Sequence, residues 1–422
     1  MSAISDTVGP LLEHLFRHQA GRIIAHLAAA LGPGQLDLAE EAVQDAMLRA
    51  LRGWPYQGVP DNPAAWLFRV AQNCAIDRVR RKRLLASKTE AMVADLERRS
   101  ASASAEAGIE EQLRDEELRM IFLCCHPALS SEASVALSLK TIGGFSAREI
   151  ARAFFEPEAT TAQRIVRAKR HIREREIALE MPEGNELAER IDTVLEVLYL
   201  MFNEGYAAHE GEQLIRQDLC LEALRLGRLL ACSSIQLPRV HALVALMAFQ
   251  AARFEERVGE SGELVLLERQ DRSRWDSSLI ALGFYHFDLS IAGDEVSTYH
   301  VQAAIAATHA RSFDAGATDW RMILSLYNQL LAIEPTPVVA LNRVVAISKV
   351  HGAERAIAEL DALNAGPPLE RYYLYAAVRG HLLLHKGRRA EAASWFQKAA
   401  GFPCSEPERR FLRQKVAECM SM

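Results

Sequence analysis

Apolar residues recur at intervals of three and four along nearly the whole of this chain, and runs that alternate apolar with polar residues are scarce. That period matches the turn of an α-helix rather than the two-residue pleat of a strand, so the expected fold class is all-α. At 422 residues, with 50% hydrophobic and 25% charged, the chain holds more apolar material than one ordinary core uses. Several domains are expected.

Local signals place the first helices. Leu11 to Ala30 read as an amphipathic helix that stops at Gly32-Pro33-Gly34. A second helix is expected to start near Asp37 as N-cap, with Glu40 at its third position, and to run to about Leu51. GWPYQGVPDNP, residues 53 to 63, then reads as a loop because it holds three prolines and two glycines. Asn62 or Asp61 can cap the third helix, with Pro63 at its first position. Leu67, Val70, Ala71 and Cys74 form its expected buried stripe, opposite Trp66, Arg69, Asn73, Asp77 and Arg80, and Asp77 can pair with Arg81 one turn on.

The acidic balance of the chain hides two basic patches. Residues 1 to 180 carry 24 Lys/Arg and 24 Asp/Glu, so the whole net charge of -6 lies beyond them. NCAIDRVRRKR, residues 73 to 83, is one patch; Arg164, Arg167, Lys169, Arg170, Arg173 and Arg175 form the other. Residues 87 to 112 between them are acidic, small and polar, and read as a flexible linker that does not itself attract phosphate. The second patch follows two capping boxes, Ser146 with Glu149 and Thr160 with Gln163. Two short capped helices joined by a tight turn make a helix-turn-helix, although EPEAT lacks the usual Gly and a plain helical hairpin stays open. Gln163 and Arg164 suit base edges and the later cations suit phosphates.

Beyond Asn185 the chain reads as a long run of helices. Gly352 and Gly387 lie thirty-five residues apart within two helix-pair patterns, and Gly380, Ala392, Phe396 and Ala399 fall at the spacings of tetratricopeptide packing. Seven cysteines, at 74, 124, 125, 220, 232, 404 and 419, show no C-x-x-C pair, which argues for a reducing cytosol over a disulfide framework. Asp6 and Glu13 stand where a signal peptide is basic, and no apolar stretch approaches membrane-spanning length, so a cytoplasmic protein without a membrane partner is expected.

Catalytic and metal chemistry find little support. HEGEQ, residues 209 to 213, has Gln213 where a zinc-protease helix needs its second His, and Cys124-Cys125-His126 has no second ligand pair at zinc spacing. No phosphate-loop motif is present. ERQDRSRWD, residues 268 to 276, reads as a salt-bridge network or a contact surface around Trp275; Phe202 and Tyr206 of FNEGY share a helical face. No enzyme, metal or cofactor is expected.

Taken together these residues resemble a bacterial sigma factor of the extracytoplasmic-function type, of a subgroup with a C-terminal tetratricopeptide-like extension. DLAEEAVQDAMLRAL resembles the polymerase-docking helix of region 2, NPAAWLFRVAQNCAIDRVRRKR the promoter -10 segment, and GFSAREIARAFFEPEATTAQRIVRAKRHIR region 4. The resemblance implies region 2 over 1–86, the linker over 87–112, a region 4 helix-turn-helix over 113–180 and the helical extension over 185–422. It places Asp37, Glu40, Glu41, Gln44 and Asp45 against core RNA polymerase. Trp54, Tyr56, Asn62, Trp66, Asn73, Asp77, Arg80, Arg81 and Arg83 would hold the -10 element, with an aromatic wall for a flipped base. Ser146, Arg148, Thr160, Thr161, Gln163, Arg164, Arg167, Lys169 and Arg170 would meet the -35 duplex. The implied partners are core RNA polymerase and promoter DNA, with an intramolecular contact between extension and sigma core regulating activity in cis. The competing reading is a helix-turn-helix regulator on a repeat scaffold that never engages polymerase.

Overall fold

The structure, a computed structural model, describes residues 2–82, 106–154, 156–206, 215–259, 262–363 and 372–421. It is all-helical. Among the described residues there is no strand, only an isolated antiparallel bridge between Val258 and Leu264, and no helix is long and apolar enough to cross a membrane. The chain divides into two compact units, Met1–Leu200 and Met201–Met422.

Unit 1 opens with α1 (Ser2–Leu31), which ends where Gly32 takes a φ of 87°, a conformation that costs glycine least. A 3-10 turn, Pro33–Gln35, feeds directly into α2 (Leu36–Gln57). Asp37 is therefore not the N-cap; it lies in the first turn of a helix that starts at Leu36 without a side-chain cap. The expected loop after Leu51 is also corrected, since α2 runs on through Pro55 to Gln57 and closes with the Gly58 N–H donating to the Trp54 carbonyl at 3.0 Å. Asn62 caps α3 (Pro63–Lys82), its Oδ1 accepting from the Ala65 N–H at 3.0 Å. α4 (Glu106–Cys124) begins inside the stretch expected to be linker, most of which lies outside the described residues.

α5 (Ser131–Thr141), α6 (Ala147–Ala153) and α7 (Glu158–Glu174) complete the unit with the first part of α8 (Gly184–Tyr206). The Ser146–Glu149 capping box forms in full at α6. The Thr160–Gln163 box does not: Pro157 is the N-cap of α7, and Thr160 already donates its N–H to the Pro157 carbonyl at 2.9 Å, inside the helix. Pro157, at φ of -60°, takes the N-cap without any side-chain cap hydrogen bond.

A buried polar chain ties α1, α3 and α4 together. His26 Nδ1 lies 2.8 Å from Glu116 Oε2 and its Nε2 lies 3.2 Å from the Gln72 amide nitrogen, while the buried Gln72 Oε1 has no partner among the described residues.

Unit 2 is a succession of helices in which neighbours in sequence pack on one another. They are α9 (Gln217–Ala231), α10 (Pro238–Ala251), α11 (Ser277–Ser290), α12 (Thr298–Arg311), α13 (Trp320–Ile333), α14 (Pro337–Ala362), α15 (Tyr373–His385), α16 (Arg389–Ala400) and α17 (Glu406–Met420). α14 is kinked at Gly352, whose φ is 86°, and Gly387 turns the chain between α15 and α16 with φ of 74°. Gly380 lets the ring of Phe396 approach so closely that a Cβ there would stand 3.0 Å from it, while Ala392, Phe396 and Ala399 are buried.

Candidate nucleic-acid interface

α2 divides cleanly into two faces. Ala39, Ala42, Val43, Ala46 and Ala50 are buried, whereas Asp37, Glu41 and Gln44 are exposed. Leu48 and Leu51 continue the exposed stripe at 47% and 51% exposure. Positions 37, 41, 44, 48 and 51 repeat at four, three, four and three, which sets them on one helical face. The sequence reading named the polar members and missed the two leucines; their signal was the continuation of the Gln44 register by apolar residues. A stripe of carboxylates, an amide and two exposed leucines is suited to a partner that is basic beside an apolar patch.

Not every carboxylate of α2 faces outward. Glu40 is buried, and Lys169 of α7 reaches it at 2.7 Å and Asp37 at 3.0 Å. Burial opposes the charge on Lys169, but the Glu40 and Asp37 carboxylates outweigh it and hold the ammonium pKa above the ordinary lysine value. Arg78 of α3 makes the matching contact lower on α2. Its Nε and Nη2 donate to Asp45 Oδ2 at 3.0 and 2.8 Å, and its Nη1 donates to Glu41. Asp45 is half-buried by this contact. Lys169, expected at phosphate, is thus corrected to an internal ion-pair partner.

Around the α2–α3 turn the aromatic expectation splits. Trp54 is 2% exposed and belongs to the core, not to a pocket wall; its indole N–H has no acceptor among the described residues. It meets the half-buried Trp66 edge-on at 5.3 Å between centroids. Tyr56 is 81% exposed on the last turn of α2, and Asn62 uses its oxygen as the α3 cap while remaining exposed. Along α3, Leu67, Ala71 and Cys74 are buried and Val70 partly so. Arg69, Asn73, Asp77, Arg80 and Arg81 are all exposed. Arg83 lies outside the described residues.

The exposed groups of α7 include Thr160, Gln163, Arg167, Arg173 and Arg170, the last 3.5 Å from Glu174. Arg148 is exposed on α6, and Ser146 spends its hydroxyl on the capping box. Thr161 is buried and donates to Glu156 at 2.5 Å, so it is a turn-fastening residue rather than a duplex contact. Arg164 donates to the same carboxylate at 2.5 Å. A groove of about 400 Å³ runs between α7 and the Ala128–Ser130 turn, lined by Ser130, Thr160, Gln163, Arg164, Arg167 and His171. Amide, hydroxyl and guanidinium groups along one open groove can meet base edges and phosphate oxygens.

Other singled-out motifs resolve as structure. Cys124 and Cys125 are buried, and burial pushes the Cys125 thiol up to about 12. HEGEQ lies outside the described residues. Trp275 is buried between Arg253 and Arg272, and Arg272 donates to the His309 carbonyl at 2.8 Å and to Thr318 Oγ1 at 2.8 Å. Phe202 stacks on Tyr206 at 5.8 Å.

With this geometry in hand, known proteins give two family matches. Sigma-70 region 2 matches residues 15–84, and a family of unknown function (DUF6596) matches residues 190–291. A protein of Rhizobium meliloti (strain 1021), named "Uncharacterized protein R00370", is 41% identical over 382 residues, 90% of each chain. No solved structure matches the chain.

Proposed function

The chain belongs to one family with the Rhizobium meliloti protein and carries a Sigma-70 region 2 at its N-terminus, and from that premise we propose that it is an extracytoplasmic-function sigma factor. Sigma-70 region 2 supports a role with RNA polymerase and implies binding of the core enzyme and of promoter DNA. The observation that carries the finer reading is the exposed stripe Asp37, Glu41, Gln44, Leu48 and Leu51 on α2, inside the matched residues. A regulator that only binds duplex has no use for a second partner-docking face of this kind.

In this reading α2 docks on core polymerase, the exposed side of α3 follows the -10 strand with Tyr56 and Trp66 beside the opening, and α6 with α7 forms the region 4 helix-turn-helix at -35. The protein acts in the cytoplasm and performs no covalent chemistry. Lys169 covers the buried Glu40 here, so that carboxylate meets a basic polymerase surface only after α7 has left α2, whereas Asp37 stays exposed beside it. The tetratricopeptide-like C-terminal extension modulates this activity in cis, an idea motivated by residues 181–422 holding all of the net negative charge.

Run-off transcription with core polymerase and genomic fragments tests the proposal. Discrete new start sites that share upstream elements at fixed spacing are expected. Duplex binding without any redirection of polymerase would replace this reading with the repeat-scaffold regulator. Transcription by the full chain against a folded chain ended at Leu200 tests the role in cis, and equal activity would remove it.

A further inference from the structure

Unit 2 holds an open-sided cavity of about 260 Å³ between α13, α14, α15, α16, α17 and the Leu264–Glu268 segment, whose last two residues begin a 3-10 turn. Its wall is almost wholly apolar, with Leu264, Trp320, Val345, Ala377 and Phe411 among the residues that face it. These side chains are half-buried rather than packed to closure, so the wall keeps apolar surface that no described residue of unit 2 covers. An apolar cavity of about 150 Å³ is enough to take up benzene, so by proportion this one holds roughly ten non-hydrogen atoms. That is the size of a small molecule, not of a helix.

The polar groups at the wall define the chemistry of the occupant by being already committed. Lys349 pairs with Glu268 at 2.5 Å, and Lys415 pairs with Glu418 at 2.7 Å. Glu408 accepts from the Ser405 N–H at 2.9 Å and from the Tyr373 hydroxyl. Ser348 donates to the Val345 carbonyl at 2.7 Å. His381 has its Nε2 3.0 Å from that of His385, and burial, with His385 beside it, lowers its pKa to about 4, so the ring is neutral at pH 7. An ionic ligand would enter an apolar site and find every counter-charge taken, which makes its desolvation uncompensated.

We propose that this cavity is a binding site for a small, uncharged, predominantly apolar molecule. Such a site makes the C-terminal unit a sensor module with its own ligand, independent of how unit 1 engages polymerase or DNA.

The test needs neither polymerase nor promoter. The full chain is titrated with 1-fluoronaphthalene, an uncharged probe of fitting size, and followed by fluorine NMR; 1-naphthoate serves as the anionic counterpart. Saturable one-to-one binding of the neutral probe is expected, with naphthoate at least tenfold weaker. Ala377→Phe and Val345→Phe, which fill the cavity from two different helices, are each expected to weaken the neutral probe at least tenfold while thermal melts show the chain folded. Absence of saturable binding to the wild-type chain overturns the proposal, as does binding that survives both folded variants. Equal affinity for naphthoate overturns the assignment of an uncharged ligand.

Discussion

Lys169 Nζ lies 2.7 Å from the Glu40 carboxylate, and the side chains of both residues are about nine-tenths buried. α7 and α2 are fastened by a charge that neither helix could bury alone. Removing one member of a buried pair leaves the other charge uncompensated, at a cost of about 3–5 kcal/mol. Lys169→Ala is therefore expected to destabilise unit 1 by about 3 kcal/mol in urea unfolding. Lys169→Met combined with Glu40→Leu is expected to recover most of that loss, because it leaves no orphan charge. A Lys169→Ala chain as stable as wild type would show the pair to be idle.

Much of unit 1 was legible in the sequence, for identifiable reasons. Gly32 and the Ser146–Glu149 box act through residues adjacent in the chain, so their local geometry is carried by the sequence itself. The alternation of buried and exposed positions along α3 follows from period alone. What stayed hidden were long-range ion pairs: Lys169 and Arg78 look like ordinary surface cations until α7 and α3 are set against α2. Trp54 was ambiguous because an indole serves a core and a base pocket equally well, and only its burial decides. GWPYQGVPDNP reads as a loop from its three prolines and two glycines, whereas the structure carries Pro55 within α2, two residues from its end.

Gly21 marks the closest approach of α1 to the end of α5. A Cβ on Gly21 would stand 2.0 Å from the Ile142 carbonyl oxygen, a backbone atom that cannot swing aside. Gly21→Ala gains helix propensity but forces the two backbones apart, and overpacking of this kind costs about 1–3 kcal/mol. A lowered midpoint in urea is expected, and a neutral or stabilising outcome would show that α1 and α5 separate freely.

Unit 2 carries a built-in sensitivity to acid. Burial, with Arg253 and Arg272 nearby, lowers the pKa of His309 to about 3; burial, with His241 next, lowers that of His286 to about 4. Unfolding frees both rings to take up protons near the ordinary histidine value of about 6.5. The unfolded state then binds more protons than the folded one, so this stability is present above that pH and is lost as pH falls toward 4. Each ring contributes a slope of about 1.4 kcal/mol per pH unit within the window. Urea unfolding at pH 7 and pH 5 is expected to show the loss, and His309→Leu is expected to flatten it by roughly one ring's share. An unchanged slope in that variant would assign the acid loss elsewhere.

The exposed leucines of α2 separate docking from folding. Leu48 and Leu51 touch solvent over about half their surface, so Leu48→Asp and Leu51→Asp are expected to change stability by no more than about 0.5 kcal/mol. At a docking face the same changes bury a carboxylate against an apolar patch, and a tenfold loss of polymerase affinity, about 1.4 kcal/mol, is expected for each. Arg167→Ala on α7 supplies the opposite control. Its exposed guanidinium lines the groove with Gln163 and Arg164, so its loss is expected to weaken promoter DNA and reduce the salt slope by about one phosphate contact while leaving polymerase affinity intact. If the leucine variants lose DNA and polymerase together, or Arg167→Ala loses polymerase, the two faces do not have separate partners.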